Sequence, residues 1–305
     1  MKKILVTGSE GFVGSHLIKS LGESSFEVVA TCSPQLIPKK GKYIALDILN
    51  LDLVIEVVKQ YEPDIVFHLA AISSVAKSFR DRPLAYNTNI VGTANLLEAV
   101  KSLDKKAQFY FVSTCELYGG GKDLGEDAPV VLKNPYAIGK YAAELICNDY
   151  QIDGLDCIIL RPFTHTGPTQ SEIFVLPTIA RQISEIEKGK RAPLIELGNI
   201  DAKREFLNVI DIVAAYNLAI GKCVSGEIYN IACGQGYTIA ELVEIFRKFS
   251  KKSFQLKVNP AKMRKVDIPV LLGNGEKFQK LTGWAPKIKI EKTIEDLLNY
   301  WRAKV

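Results

Sequence analysis

The sequence predicts an α/β protein built on a doubly wound parallel sheet, with a smaller C-terminal α/β unit packed against it. Three observations carry this. A short apolar strand runs straight into a turn with glycines three apart, at Gly8, Gly11 and Gly14. Apolar, β-branched runs then alternate with stretches of helical apolar spacing as far as His165, the pattern of a parallel sheet covered on both faces. Beyond Gly167-Pro168 the alternation fails and shorter, irregular elements follow. The sheet domain is accordingly expected over 1–165 and the second domain over 166–305, with parts of 205–235 returning to the first. At 305 residues, 47% hydrophobic and 24% charged, the chain is long enough to bury such a core.

Lys3-Ile4-Leu5-Val6-Thr7 is the first strand. At its junction with the helix that starts at Phe12, Gly8 can take backbone angles closed to other residues, Gly11 lets a pyrophosphate approach the main chain, and Gly14 lets helix and strand pack closely. The free N–H groups of the helix's first turn, at Phe12, Val13 and Gly14, then face the phosphates of a dinucleotide. The spacing is G-x-x-G-x-x-G rather than G-x-G-x-x-G, so the preceding strand and the amphipathic run Phe12 to Leu21 are what make it a binding turn. Phe26 to Thr31 is the second strand, and its end, Cys32-Ser33, is where such a fold chooses between cofactors. No Asp or Glu lies between Glu27 and Asp47, so the carboxylate that would bind a ribose 2′-hydroxyl is missing there, while Ser33, Lys39 and Lys40 suit a 2′-phosphate. NADP(H) is expected, with NAD(H) left open.

Lys42 to Leu46 makes a third strand whose end, Asp47-Ile48, falls on the same cofactor edge, and Leu53 to Tyr61 is a helix. Ile65-Val66-Phe67-His68-Leu69 is the fourth strand; it opens into Ala70-Ala71, where small residues let the cofactor lie against the strand end. Asn87 to Leu103 has the spacing of a long helix. Gln108 to Val112 is the fifth strand and delivers Ser113-Thr114-Cys115-Glu116 to the sheet's carboxyl edge. Asn134-Pro135-Tyr136 starts a helix that runs to Tyr150, with proline in its first turn. Cys157 to Leu160 is the sixth strand and ends in Arg161-Pro162-Phe163-Thr164-His165. Later, Gly226 to Ile231 reads as a strand, Thr238-Ile239-Ala240-Glu241 as a capping box that starts a helix, and Lys292 to Arg302 as a terminal amphipathic helix.

Composition narrows the function. A net charge of +5, spread along the chain without a basic block or aromatic-basic interleaving, points to an anionic small molecule rather than nucleic acid. The six cysteines form no C-x-x-C pair, and with three histidines no metal-ligand cluster stands out. They suit buried thiols in a reducing cytoplasm. After Met1-Lys2-Lys3 the apolar stretch lasts only from Ile4 to Val6, so neither a secretory nor a membrane-spanning segment is expected.

The chemistry concentrates at Tyr136-Ala137-Ile138-Gly139-Lys140, where a phenol and an ammonium four residues apart share one helix face. A positive charge beside the hydroxyl favours the phenolate, and a tyrosine so tuned passes a proton to or from a carbonyl oxygen while a nicotinamide exchanges hydride with its carbon. Elsewhere this spacing usually means a packed tyrosine with a snorkelling lysine. Here the pair sits on the helix after the fifth strand, about twenty residues beyond Ser113 and Thr114, in a sheet that begins with a dinucleotide turn.

Together with His68-Leu69-Ala70-Ala71 and Asn89-Ile90-Val91-Gly92-Thr93-Ala94-Asn95-Leu96-Leu97, these motifs resemble the extended short-chain dehydrogenase/reductase family over nearly the whole chain. The resemblance implies a Rossmann domain, a smaller nucleotide-sugar domain, and Thr114, Tyr136 and Lys140 as the catalytic set. Arg161-Pro162-Phe163-Thr164-His165-Thr166-Gly167-Pro168, Lys203-Arg204-Glu205-Phe206 and Met263-Arg264-Lys265-Val266-Asp267-Ile268-Pro269 resemble, more narrowly, GDP-4-keto-6-deoxy-mannose reductases and GDP-mannose 4,6-dehydratases. That likeness implies Arg204 and Arg264 on the substrate diphosphate, Asp267 on the nucleotide ribose and Thr164 in the substrate loop. Thr164 stands where the group usually has Asn, and Lys265-Val266 where it has Pro-Ser. Glu116 occupies the position of the dehydratase general base, and a Glu also occurs there in the reductases. The implied activity is NADPH-dependent reduction of a GDP-linked 4-keto-6-deoxy hexose, with a 4,6-dehydratase, a 4-epimerase or a nucleotide-sensing regulator as alternatives. The short span between the second strand and His68 favours the reductase. A homodimer through Asn87 to Leu103 and Tyr136 to Tyr150 is also implied.

Overall fold

The first strand, β1 (Lys2–Thr7), shows how the sheet is built: Ile4 and Val6 point into one apolar layer and Leu5 into the other, and all three are fully buried. The computed structural model describes residues 1–36, 42–263 and 267–305. The same division recurs in β2 (Phe26–Cys32), β4 (Ile65–His68), β5 (Gln108–Val112) and β6 (Asp156–Pro162), with the short β3 (Ile44–Ala45) and β7 (Ile228–Ile231) at the two edges. All seven strands are parallel, in the order β7-β6-β5-β4-β1-β2-β3. The expected third strand is shorter than Lys42 to Leu46, and a seventh, contributed by the segment after 205, extends the sheet beyond the sixth.

Helices cover both faces. α1 (Phe12–Gly22) packs against one through Leu17 and Leu21, while α2 (Leu51–Tyr61), α3 (Gly92–Lys101) and α4 (Pro135–Ile152) cover the other through Val54, Leu96, Leu97, Ala143 and Cys147. α5 (Val209–Ala219) joins α1 on its face, burying Ile212 and Tyr216. The helix expected from Asn87 begins instead with a wider turn over Asn87–Val91 before α3 starts. Because order reverses between β1 and β4, a crevice forms at their carboxyl ends, where ligands of such sheets bind.

The second unit has its own core. Helices Val175–Glu187, Ile239–Phe249 and Ile290–Lys304 enclose Ile183, Ile195, Phe246, Ile294 and Leu298. Thr238 and Glu241 form the expected capping box at the start of the second of these. A four-stranded sheet, Gly236–Thr238, Lys203–Glu205, Val270–Gly273 and Gly121–Leu124, ties the units together, since its last strand comes from the loop after β5. Cys115, Tyr118, Phe163, Ile268 and Leu271 bury a small shared cluster beside it. The crevice therefore has a floor from one unit and a wall from the other. All six cysteines are free thiols, and among the described residues no helix is long and apolar enough to cross a membrane.

Candidate active site

The turn after β1 is shaped for a phosphate backbone. Gly8 takes φ +68°, and a Cβ there would lie 2.8 Å from the Ala70 nitrogen at the end of β4. A Cβ on Gly14 would stand 2.1 Å from the Gly8 carbonyl oxygen. Gly11 caps α1 with no side-chain hydrogen bond, so the N–H groups of Phe12, Val13 and Gly14 meet the crevice without an intrahelical acceptor. Leu69, Ala70 and Ala71 form the facing wall, held by the Ala70 N–H donating to Thr7 Oγ1 at 3.2 Å. Ile48 is buried at the end of β3, where its carbonyl accepts from Asn95 Nδ2 at 2.9 Å, and Asp47 is exposed beside it. These features fit a dinucleotide.

His68 is scaffold here. Its two ring nitrogens pair with Thr7 Oγ1 at 2.7 Å and Thr93 Oγ1 at 3.0 Å, and burial, with the Lys140 charge, holds it well below its ordinary pKa. His165 stacks on Phe12 with its Nδ1 on the Phe163 carbonyl at 2.8 Å, and burial lowers its pKa too.

At the end of β2, Ser33 hydrogen-bonds Gln35 through its hydroxyl, and Lys39 and Lys40 lie outside the described residues. The sequence reading finds no carboxylate on this stretch, but folding brings one from elsewhere. Glu10, inside the glycine turn, accepts the Ser33 N–H through Oε1 at 3.4 Å, while its Oε2 is buried with no hydrogen-bond partner among the described residues. No motif flags this residue; only its place between Gly8 and Gly11 hints at it.

The proton-handling groups meet at the ends of β5 and the start of α4. Asn134 caps α4, accepting the Ala137 N–H at 2.8 Å, and its Nδ2 donates to Glu116 Oε2 at 3.0 Å. The Glu116 N–H in turn donates to Thr114 Oγ1 at 3.2 Å. One residue past the cap proline, the Tyr136 phenol is raised above its ordinary pKa by burial, offset in part by a hydrogen bond with Thr114. One turn on, Lys140 is 2% exposed with its Nζ 4.0 Å from the centre of the Phe111 ring, and burial pushes it down to about 7. The lowering of the phenol expected from the Tyr-Lys spacing is thus absent, because burial raises the phenol and the ammonium faces an aromatic ring.

α4 is fixed behind these groups. Arg161 on β6 donates to both oxygens of Glu144, at 2.9 and 2.6 Å, and to the Tyr118 hydroxyl at 2.9 Å, which donates to Asn230 on β7 at 2.8 Å. Asn134, legible in the sequence only as the start of a helix, joins the site through its bond to Glu116.

Arg204 of the second unit comes near the same strand end. Thr164 follows β6, its carbonyl accepting the Leu207 N–H at 2.9 Å. Arg204 is 9% exposed, its charge is felt at Cys115, and its Nη2 lies 3.9 Å from Asp267 Oδ1. Asp267 also accepts from Asn199 Nδ2. Thr114, Glu116 and Tyr136 are therefore gathered with Lys140 one turn on, Arg204, beside Asp267, is near enough to act on Cys115, and Arg264 lies outside the described residues. Among the described residues no group of three His, Cys, Asp or Glu side chains is arranged to hold a metal.

Comparison with known proteins gives the family. The GDP-6-deoxy-D-mannose reductase of Pseudomonas aeruginosa is 32% identical, with 100% of this chain and 98% of that protein aligned. The structure of RMD from P. aeruginosa with NADPH matches at a TM-score of 0.88 and 31% identity, covering 100% of both chains. The UDP-glucose 4-epimerase of Thermus thermophilus with NAD matches at a TM-score of 0.88 and 27% identity, over 99% and 100% of the two chains. The family model for GDP-mannose 4,6 dehydratase matches residues 5–297, and the chain belongs to that family, within the wider group of nucleotide-sugar epimerases, dehydratases and reductases.

Proposed function

We propose that this protein reduces the 4-keto group of a GDP-linked 4-keto-6-deoxy hexose. The observation that carries the reading is the pairing of a half-buried phenol with Thr114 at the carboxyl edge of β5, with the Arg204 charge reaching the adjacent Cys115. The names of the reductase relative and of the family model supply the nucleotide sugar. A reduced nicotinamide dinucleotide, when bound, supplies the hydride; NADPH is what the P. aeruginosa neighbour holds and NAD what the Thermus epimerase holds.

The chain's own residues handle the proton and the position. Burial keeps Tyr136 protonated at neutral pH, the state a reductase needs, and the phenol gives its proton to the C4 oxygen as that oxygen becomes an alkoxide. Thr114 hydrogen-bonds the same oxygen. Lys140 would meet the nicotinamide ribose of a bound dinucleotide, and Arg204 and Arg264 would hold the substrate diphosphate, with Asp267 for the nucleotide ribose and Thr164 in the sugar loop. Glu116, fixed by Asn134, orients the Thr114 segment; in a dehydratase it would have to act as a base.

The test supplies purified protein with GDP-4-keto-6-deoxy-mannose and NADPH and, separately, with GDP-mannose and NADP. Loss of nicotinamide absorbance with a reduced sugar product in the first supports a reductase. Dehydration of GDP-mannose in the second, without net nicotinamide oxidation in the first, overturns it.

A further inference from the structure

A carboxylate oxygen shut away from water without a donor is costly, and Glu10 Oε2 is one. It sits between two landmarks of the dinucleotide crevice, the glycine turn that carries it and the Ser33 N–H at the end of β2 that its other oxygen accepts. The Cys32 thiol on the same strand end also feels its charge. This is where the adenosine ribose of a dinucleotide rests in a doubly wound sheet, and where an acidic side chain ordinarily comes from β2 itself. Here β2 ends Cys32-Ser33 and has none.

We propose that Glu10 sets this chain's discrimination between the 2′-hydroxyl of NAD(H) and the 2′-phosphate of NADP(H). Its carboxylate charge, held at the end of β2, tolerates the uncharged ribose hydroxyl, so the chain takes NAD(H) as well as NADP(H). A 2′-phosphate brings a charge of about −1.5 to −2 beside the same carboxylate and is opposed by it. The balance between the two dinucleotides therefore depends on Glu10. The inference rests on the dinucleotide part of the proposed function and not on the sugar, so it survives or fails independently of the reductase assignment.

Calorimetric titration with ADP-ribose and with 2′-phospho-ADP-ribose isolates the position, since these ligands differ only there and need neither nicotinamide nor turnover. In Glu10→Gln, which removes the charge and keeps the shape, the ratio of the two dissociation constants is expected to shift at least tenfold toward the phosphorylated ligand. Glu10→Ser should shift it in the same direction, and Glu10→Asp, which keeps the charge, should stay within threefold of the native ratio. An unchanged ratio in either neutral variant, with both ligands still binding, overturns the proposal. So does an equal loss of both ligands in a variant that melts like the native protein, because that outcome makes Glu10 a brace for the turn.

Discussion

Lys140 offers the most direct test of the site, because its burial carries a stability cost that can be measured apart from activity. An ordinary lysine titrates near 10.5, and burial brings this one to about 7. Between those values the unfolded chain holds a proton that the folded chain has released, so stability rises with pH across the window and levels off above it. At pH 7 the difference amounts to about 4 kcal/mol of lost stability; the nearby Glu144 carboxylate and the Phe111 ring already act on the ammonium. Lys140→Met removes the charge but keeps an apolar stem, and it also gives up the cation–π contact, worth about 0.5–2 kcal/mol. The variant should therefore be about 2–4 kcal/mol more stable than the native protein at pH 7, with the gap shrinking to about 1 kcal/mol or less by pH 9.5. Denaturant unfolding of both proteins without nucleotide at pH 7, 8, 9 and 9.5 measures this, and turnover of the variant should fall with cofactor affinity. A variant no more stable than the native protein at pH 7, or a gap that stays constant with pH, refutes the reasoning.

Tyr136→Phe should fold, bind dinucleotide and bind GDP, but turn over about 10²- to 10⁴-fold more slowly; near-native kcat in a stable variant would end the proton-donor role. Asn134→Ala removes both the α4 cap and the bond to Glu116, so about 1 kcal/mol of stability should go, read from urea unfolding, together with a fall in kcat that exceeds any rise in KM. Arg204→Ala should weaken GDP binding by about 1.5–3 kcal/mol in calorimetry while ADP-ribose affinity holds. The homodimer expected through α3 and α4 fits the exposure of Val91, Ile138 and Leu145, 44%, 39% and 52%, on or beside those helices. Leu145→Arg should then yield monomers in sedimentation velocity, and an unchanged sedimentation coefficient at micromolar concentration would refute that interface.

What the sequence makes legible follows from how local each cause is. β1, its glycine turn and α1 are contiguous, so one window of fourteen residues contains both the strand and the geometry that Gly8 and Gly14 impose. Asn134, Tyr136 and Lys140 are likewise set by one helix start, and the capping box at Thr238 by another. Less local features escape. The pairing of Gly121–Leu124 with Val270–Gly273 joins segments about 150 residues apart, and no periodicity in either announces the other. The phenol's raised pKa depends on what buries Tyr136, not on its distance in sequence from Lys140, so the spacing that identifies the pair misjudges its ionisation.

Glu10 shows the same limit at the point where it matters most for chemistry. The usual reading asks which residue ends β2, because in most such sheets the ribose is met by the strand's own side chain. That question has a local answer, Ser33, and the answer favours phosphate. The folded chain poses a different one, since the turn after β1 and the end of β2 are neighbours at the same carboxyl edge, joined by the Ser9 N–H donating to the Thr31 carbonyl at 3.0 Å as well as by Glu10 on Ser33. A carboxylate delivered 23 positions away in sequence alters the electrostatics of a site just as one on β2 would, because charge acts through space and the backbone path is irrelevant to it. On the role proposed for Glu10, cofactor choice is a property of the contact between two loops, and changing Ser33 alone would leave Glu10's share of it in place.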